Sequence, residues 1–205
     1  DVLININEKK DKINWFKMCS DDFNTAGTSA KKLSDYLIGD EWLNFLREMT
    51  GIEDLRADKK WVGAGINYEP RGAHLEPHTD FNHSPNGWRR INLLLFLSKN
   101  WKEEWGGYGE LGHIEDGDFV KDVTYSPDFN KTVLFETSNI SYHGFDLVRC
   151  PEDEVRIVIT CYYYSDSPGP HSKKKTHTSY IGWDKERKQN NEYSNRRGTG
   201  WKELE

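Results

Sequence analysis

The sequence predicts a mainly β domain with flanking helices (α+β). Seven or eight short β-prone runs lie between residues 61 and 165, and Gly, Pro, Asn and Asp separate them. Helical spacing of apolar residues is confined to the first sixty residues. No long helical pattern separates the strands, which argues against a parallel α/β sheet. The pattern is typical of a sandwich, a barrel or a jelly roll.

Two helices are predicted before the first strand. Asp40 is the expected N-cap of one, and Gly51 is placed to end it. A shorter helix is expected around Ala30–Leu37. The apolar residues at helical spacing after Asp40 are expected to be core, and they are Trp42, Leu43, Phe45, Leu46 and Met49.

The strands and the length of the chain predict one domain. A chain of 205 residues suits a single core. We expect N-terminal helices in residues 1–60, the β core in residues 61–165 and a basic C-terminal tail in residues 166–205 that forms a loop or lies over the body. The predicted strands are Trp61–Tyr68, Ala73–His78, Arg90–Leu97, Gly109–His113, Lys131–Glu136, Ser141–Val148 and Val155–Tyr164.

The composition excludes several classes of protein. Mean hydropathy is −0.87, but aromatic residues reach 13% and supply burial that a disordered chain lacks. No apolar run approaches the roughly 18 residues of a membrane span, and the first residues lack a signal-peptide pattern. The three cysteines are widely spaced and form no CxxC, which argues against a disulfide scaffold or a zinc ribbon. A cytoplasmic location is therefore expected.

The charge is distributed unevenly along the chain. The net charge is −6, yet residues 171–202 contain nine Lys or Arg against three Asp or Glu. Such a tail could recruit an acidic partner, although a solvated tail without a partner is the simpler interpretation. Basic residues are not interleaved with aromatic ones in the way that favours nucleic-acid binding.

A possible metal site begins at His78. On a strand, His78 and Asp80 point to the same side, so an imidazole and a carboxylate face one point. His143 follows another β-prone run and could complete a 2-His-1-carboxylate set, the arrangement that binds Fe(II) and leaves positions open. Arg156 opens the last strand, and a buried guanidinium can bind a distal carboxylate with two hydrogen bonds. This order of residues indicates Fe(II) and a 2-oxo acid.

The motifs resemble those of a known family over residues 51–165. GINYEPRGAHLEPHTDFN, RRINLLLFLSKNWKEEWGG, FNKTVLFETSNISYHG and RIVITCYYYS are similar to the prolyl 4-hydroxylase-like branch of the Fe(II)/2-oxoglutarate-dependent dioxygenases. The resemblance implies a double-stranded β-helix (jelly roll) and implies Fe(II), 2-oxoglutarate and O2 as cofactors, with ascorbate as a stimulant. It makes His78, Asp80 and His143 the catalytic iron ligands.

The resemblance also implies a cosubstrate pocket. Arg156 would bind the C5 carboxylate of 2-oxoglutarate, and Tyr68 matches a tyrosine that lines the pocket in the family. Phe96 stands where some relatives have a tyrosine that assists this carboxylate, which is a departure from the pattern. Asn92 and Thr160 are the further candidates for contacts with the cosubstrate.

The expected reaction is hydroxylation of an unactivated C–H bond. Asp80 is the carboxylate that related halogenases lack, so hydroxylation is favoured, with desaturation or cyclisation left open. A prolyl residue of a peptide or protein is the first expectation for the substrate. A free amino acid, a sugar or another small metabolite is the alternative. A non-catalytic jelly-roll protein that binds a ligand is the rival from another class, and the oligomeric state is left open.

Overall fold

The computed structural model describes residues 14–15, 18–172 and 174–181. Strands predominate, as the sequence predicts, and two helices precede the main sheets. A 3₁₀ turn covers Glu103–Trp105. In chain order the elements are β1 (Asn14–Trp15), β2 (Met18–Ser20), α1 (Thr28–Leu37), α2 (Asp40–Thr50), β3 (Arg56–Ala57), β4 (Gly65–Pro70), β5 (His74–Thr79), β6 (His83–Ser84), β7 (Gly87–Phe96), β8 (Gly109–Glu115), β9 (Asp118–Tyr125), β10 (Thr132–Glu136), β11 (Tyr142–Phe145), β12 (Val155–Ser165) and β13 (Ser179–Tyr180).

The strands form two antiparallel sheets. The large sheet has the order β10-β7-β12-β4-β2, with β3 paired to β12 and β6 paired to β7. The small sheet has the order β1-β5-β11-β8-β9, with β13 paired to β5. Central neighbours such as β7 with β12 and β5 with β11 are distant in sequence, as in a double-stranded β-helix. The predicted jelly roll with flanking helices is therefore confirmed.

The main core lies between the helices and one face of the large sheet. Leu43 and Leu46 of α2 are buried against this face, in the same cluster as Ile159 and Tyr163 of β12. The hydroxyl of Tyr163 donates to the Leu37 carbonyl at 3.0 Å. Because side chains alternate along a strand, Thr160 and Tyr162 of β12 point to the other face, which looks toward the small sheet. We call this second face the inner face.

Helix α2 corrects two details of the prediction. Gly39 is the N-cap and Asp40 is the first helical residue, so the aspartate offers charge to the helix terminus without a capping hydrogen bond. Gly51 does end the helix in the left-handed conformation (φ 71°). Phe45 and Met49 are 50% and 49% exposed, because only one side of α2 contacts the sheet. The apolar stripe is therefore only partly core.

The predicted strands exist, with shifted ends. The first begins at Gly65 and not at Trp61, because positive φ values at Trp61 and Gly63 place a turn there. The strand predicted at Ser141–Val148 is shorter, and it covers Tyr142–Phe145. Strand β9 was not predicted, since most of its side chains are exposed and it lacks an apolar face. No helix among the described residues is long and apolar enough to cross a membrane.

Residues 174–181, which we call the C-terminal segment, run along the outer edge of β5. Ser179 pairs with Thr79, and Tyr180 pairs with His78. The Ile181 amide donates to the Pro77 carbonyl at 3.1 Å. This agrees with the expectation of an ordered tail over the body for these residues, whereas residues 182–205 of the basic tail lie outside the described part. The division of the chain into three regions stays a prediction.

Candidate metal centre

His78, Asp80 and His143 meet between two neighbouring strands of the small sheet. His78 lies on β5 directly opposite His143 on β11, and Asp80 follows the end of β5. One ligand atom from each residue lies within 4.8 Å of the others, and all three side chains are buried. His78 and His143 are 65 residues apart in sequence, and the antiparallel pairing of β5 with β11 brings them together. The structure thus brings together the three residues that the sequence singled out.

Both imidazoles turn the same nitrogen toward the centre. His78 Nδ1 lies 2.9 Å from the Glu76 carbonyl, and His143 Nδ1 lies 3.4 Å from the Ser141 carbonyl. The Nε2 atoms lie 3.9 Å and 3.7 Å from the two oxygens of Asp80. A backbone carbonyl that accepts Nδ1–H leaves the Nε2 lone pair for a metal. The donor set therefore fits a divalent ion such as Fe(II), with the open positions of a facial triad.

Two side chains of β7 hold the Asp80 carboxylate. Asn92 Nδ2 donates to Asp80 Oδ2 at 3.1 Å, and Arg89 Nη1 lies 3.5 Å from the same oxygen. The Arg89 guanidinium is fully buried between the rings of Phe81 and Tyr162, 3.5 Å and 3.4 Å from their centroids. Burial opposes its charge, but the nearby Tyr162 and Asp80 raise the pKa of Arg89 above its ordinary value. Asp80 is therefore held in place by a permanent cation.

Arg89 was missed in the sequence, where it stands in the pair Arg89-Arg90 at the start of an apolar strand. Strand parity alone would have placed Arg89 on the helix side of β7 with Ile91 and Leu93. A register shift where β7 pairs with Tyr163 and Tyr164 of β12 breaks this alternation, and Arg89 contacts Asp80 on the same side as Asn92. The available signal was the position of a charged residue in a strand rich in buried apolar residues, where a buried charge needs a partner.

Aromatic rings enclose the histidines. The Tyr180 ring of the C-terminal segment stacks on His78, with centroids 4.8 Å apart and planes at 27°. Phe135 of β10 lies 4.7 Å from the His143 ring. The C-terminal segment is held by Asn82, whose Nδ2 donates to Lys174 O and whose Oδ1 accepts from Thr176 N. This segment therefore forms one wall of the metal centre.

Arg156 lies on the inner face of β12 and reaches a second pocket. Its Nε donates to the Gly107 carbonyl at 2.8 Å, and its guanidinium lies 4.3 Å from the ring centroid of Phe145 and 5.0 Å from that of Phe96. Phe145 and His143 share one side of β11 by alternation. The spacing of two residues along a strand, about 7 Å, therefore separates the metal ligand from the Arg156 pocket. Burial raises the pKa of the neighbouring Tyr125 to about 12, so this phenol stays neutral.

Gly107 is required where Arg156 passes. Its φ of 71° lies in the left-handed region, and a Cβ there would lie 2.9 Å from Arg156 Cδ. A side chain at this position would displace the arginine stem.

Two of the remaining predicted contacts, Asn92 and Thr160, lie on the inner face. Asn92 holds Asp80, and the Thr160 hydroxyl accepts a hydrogen bond from Asn67 Nδ2 at 2.8 Å. The amide oxygens of Asn67 and Asn92 are buried and have no hydrogen-bond partner among the described residues. Buried polar atoms normally have a partner, so these two oxygens are suited to water or a polar ligand on this face.

The expectation for Tyr68 needs correction. Tyr68 pairs with Ile157 and packs against the helix-side core, so its ring is on the opposite face of β4 from the Arg156 pocket. The inner-face residue is its neighbour Glu69, which pairs with Arg156. Adjacent residues of a strand point to opposite faces, and an alignment displaced by one residue exchanges them. The alternation of Ile66 and Tyr68 with Asn67 and Glu69 was the signal for this assignment.

Comparisons with known proteins agree with this geometry. The sequence profile of the 2OG-Fe(II) oxygenase superfamily matches residues 64–164. Prolyl 3-hydroxylase OGFOD1 from Mus musculus is 32% identical over 83 residues, which are 38% of this chain and 15% of the mouse protein. The chain thus matches only a small part of that relative.

Solved structures of prolyl hydroxylases are also similar. A prolyl-4-hydroxylase from Pseudomonas putida has a TM-score of 0.52 at 17% identity, over 80% of this chain and 78% of that one. A prolyl hydroxylase from Trichoplax adhaerens, in complex with a peptide of hypoxia inducible factor, has a TM-score of 0.39 at 21% identity, over 50% of this chain and 43% of that one. The bacterial structure supports the fold.

The family match bears on the predicted chemistry. It confirms, at the level of the family, the predicted oxygenase class together with Fe(II), 2-oxoglutarate and O2. The triad offers a possible site for the iron. The profile match, the jelly roll and the His-Asp-His triad together identify residues 64–164 as a 2OG-Fe(II) oxygenase domain.

Proposed function

We propose that the chain is an Fe(II)- and 2-oxoglutarate-dependent dioxygenase that hydroxylates a prolyl residue of a peptide or protein. The observation that carries the proposal is the orientation of His78 and His143, whose Nε2 atoms both face Asp80 at 3.9 Å and 3.7 Å. A buried set of two imidazoles and one carboxylate with a fixed tautomer is a metal site by its chemistry. The family narrows the metal to iron.

In this proposal His78, Asp80 and His143 hold the iron, and Arg156 binds the C5 carboxylate of 2-oxoglutarate. The separation of about 7 Å along β11 between His143 and the Phe145 wall of the Arg156 pocket suits a cosubstrate that chelates metal at one end. When bound, iron and 2-oxoglutarate supply the O2-dependent oxidation, in which the oxo acid is decarboxylated to succinate.

The protein positions these groups and keeps the site dry. Asn92 and Arg89 fix the Asp80 carboxylate, so the ligand does not rotate away from the metal. Phe96 and Phe145 flank Arg156 and exclude water from its ion pair, which strengthens recognition of a carboxylate. Tyr180 covers His78 on the side of the C-terminal segment. The substrate must therefore approach from another side.

The prolyl substrate is supported by the mouse relative, which is named a prolyl 3-hydroxylase. A free amino acid, a sugar or a small metabolite is the alternative substrate, and a non-catalytic ligand-binding role is the alternative from another class. The position of hydroxylation on the ring is a further outcome that product analysis decides. The cytoplasmic location and the three-region division stay predictions.

The test is a binding and turnover assay on the full chain. Fe(II) and 2-oxoglutarate are added without O2, and binding is followed by visible absorption and calorimetry. O2 and proline-containing peptides, free proline or sugars are then supplied, and succinate and hydroxylated product are measured by mass spectrometry. We expect peptides to stimulate succinate formation and to gain one oxygen atom on proline.

Two variants and one control sharpen the assay. His143→Ala should abolish the metal-dependent absorption and turnover, because one of three ligands is lost. Arg156→Ala should weaken 2-oxoglutarate binding by about 10- to 100-fold, because the distal carboxylate loses its cation. His113→Ala is the control, since His113 lies on the exposed β8–β9 hairpin. Failure of metal-loaded wild-type protein to bind 2-oxoglutarate would refute the proposal.

A further inference from the structure

A carboxylate of the protein already lies on the guanidinium proposed to receive the distal carboxylate of 2-oxoglutarate. Glu69 of β4 is directly opposite Arg156 of β12, and its Oε2 accepts a hydrogen bond from Arg156 Nη1. Both residues are only 2% exposed. The proposed reaction assigns no role to Glu69, although a buried carboxylate is kept at a cost in solvation.

The ion pair leaves part of Arg156 available. A guanidinium has five N–H donors, of which Nε serves the Gly107 carbonyl and one on Nη1 serves Glu69. Three N–H groups on Nη1 and Nη2 remain, enough for one further carboxylate. Phe96 and Phe145 line the same guanidinium, so that second carboxylate would lie in the same poorly hydrated pocket as Glu69.

The pairing with Glu69 makes the net charge of this pocket different from that of a pocket that contains an arginine alone. In the part of the chain that the structure describes, Arg156 is the one cation within 4 Å of the Glu69 carboxylate. The adjacent Tyr125 is neutral and adds no charge. A single positive charge would therefore be shared by two carboxylates, and like charges inside a protein repel more strongly than they do in water.

We propose that Glu69 is a specificity-determining residue of the cosubstrate pocket, which weakens binding of 2-oxo acids that carry a distal carboxylate. This inference rests on the proposed function, because it takes Arg156 as the binding site of that carboxylate. Its consequence is a small preference for 2-oxoglutarate over an oxo acid of the same length with a neutral end. Glu69 acts by its charge, so an uncharged side chain of the same shape removes the effect.

The experiment measures equilibrium binding and not turnover. 2-Oxoglutarate and 2-oxopentanoate, which has the same chain length but no second carboxylate, are titrated by calorimetry into protein loaded with Mn(II) as a redox-stable substitute for Fe(II). In Glu69→Gln we expect Kd for 2-oxoglutarate to fall by about 10- to 100-fold, the effect of removing one buried like charge. Kd for 2-oxopentanoate should change less than about threefold. Glu115→Gln, on the exposed tip of the β8–β9 hairpin, is the control for loss of a negative charge.

The wild-type protein gives a second measurement that needs no variant. Because Glu69 already balances Arg156, its Kd for 2-oxopentanoate should exceed that for 2-oxoglutarate by less than about tenfold. A larger wild-type preference, or an unchanged or weaker 2-oxoglutarate affinity in folded Glu69→Gln, overturns the assignment of Glu69. If wild-type protein binds neither oxo acid, the proposed function itself fails. The two failures are therefore distinguishable.

Discussion

Replacing Asn82 with alanine should release the C-terminal segment from the small sheet. The Asn82 side chain is fully buried and makes three hydrogen bonds, of which two hold the C-terminal segment. They join Asn82 to Lys174 O at 2.7 Å, to Thr176 N at 2.9 Å and to Asn139 Oδ1 at 2.7 Å. The variant removes all three and leaves their partners without Asn82.

The structure sets the size of the effect. Each lost bond costs about 1 kcal/mol, and two of the three join Asn82 to the C-terminal segment, so the docked state should lose about 2 kcal/mol relative to the undocked state. Since about 1.4 kcal/mol corresponds to a factor of ten, the undocked population should rise by about 30-fold. The helix-side core does not involve Asn82, so global unfolding should change much less than local opening.

Hydrogen exchange measured by mass spectrometry tests this directly. The informative amides are those of residues 179–181, which pair with β5 and are not bonded to Asn82. Their exchange should accelerate by about 30-fold in Asn82→Ala and by less in Asn82→Asp, which retains an acceptor for Thr176 N. Exposed Asn24→Ala should have no effect. Protection of residues 179–181 that stays within threefold of the wild type would refute the anchoring role of Asn82.

Three further changes have defined outcomes. Asn92→Ala should weaken Fe(II) or Mn(II) binding by about 10- to 100-fold, because the Asp80 carboxylate loses a positioning hydrogen bond; calorimetry checks this, and unchanged affinity would contradict it. Leu46→Ala should lower the free energy of unfolding by about 2–5 kcal/mol, since Leu46 is 0% exposed in the main core, as denaturant unfolding would measure. The hydrogen bond to Asp122 raises the pKa of His113, so its stabilising contribution is present at low pH and lost as pH rises through that pKa. In Asp122→Asn, NMR titration should find the His113 pKa lower than in the wild type.

The sequence predicted the metal residues because their chemistry is local. His78 and Asp80 show their relation in three consecutive positions, and His143 is a histidine that follows a strongly β-prone run. Strand parity and residue type were sufficient to propose their meeting point. The structure adds the pairing of β5 with β11, which no local pattern contains.

The supporting residues depend on register and could not be read in the same way. Glu69 reaches Arg156 because β4 and β12 pair with these two residues opposite each other, at a separation of 87 residues. Tyr68 was expected in the cosubstrate pocket. The observed register places its ring on the helix side of β4 and places its neighbour Glu69 opposite Arg156. Strand β9 escaped prediction because its exposed side chains lack the alternation that marks a half-buried strand.

The outer edge of β5 has a consequence for solubility. A strand edge with unpaired N–H and C=O groups can recruit a strand from another molecule. Here β1 pairs with Leu75 and His74, β13 pairs with His78 and Thr79, and Pro77 between them has no N–H to offer. Two short segments from distant parts of the chain therefore protect the strand that carries His78. A shortened chain that ends before residue 174 would uncover half of that edge, and its characteristic fault would be self-association through β5.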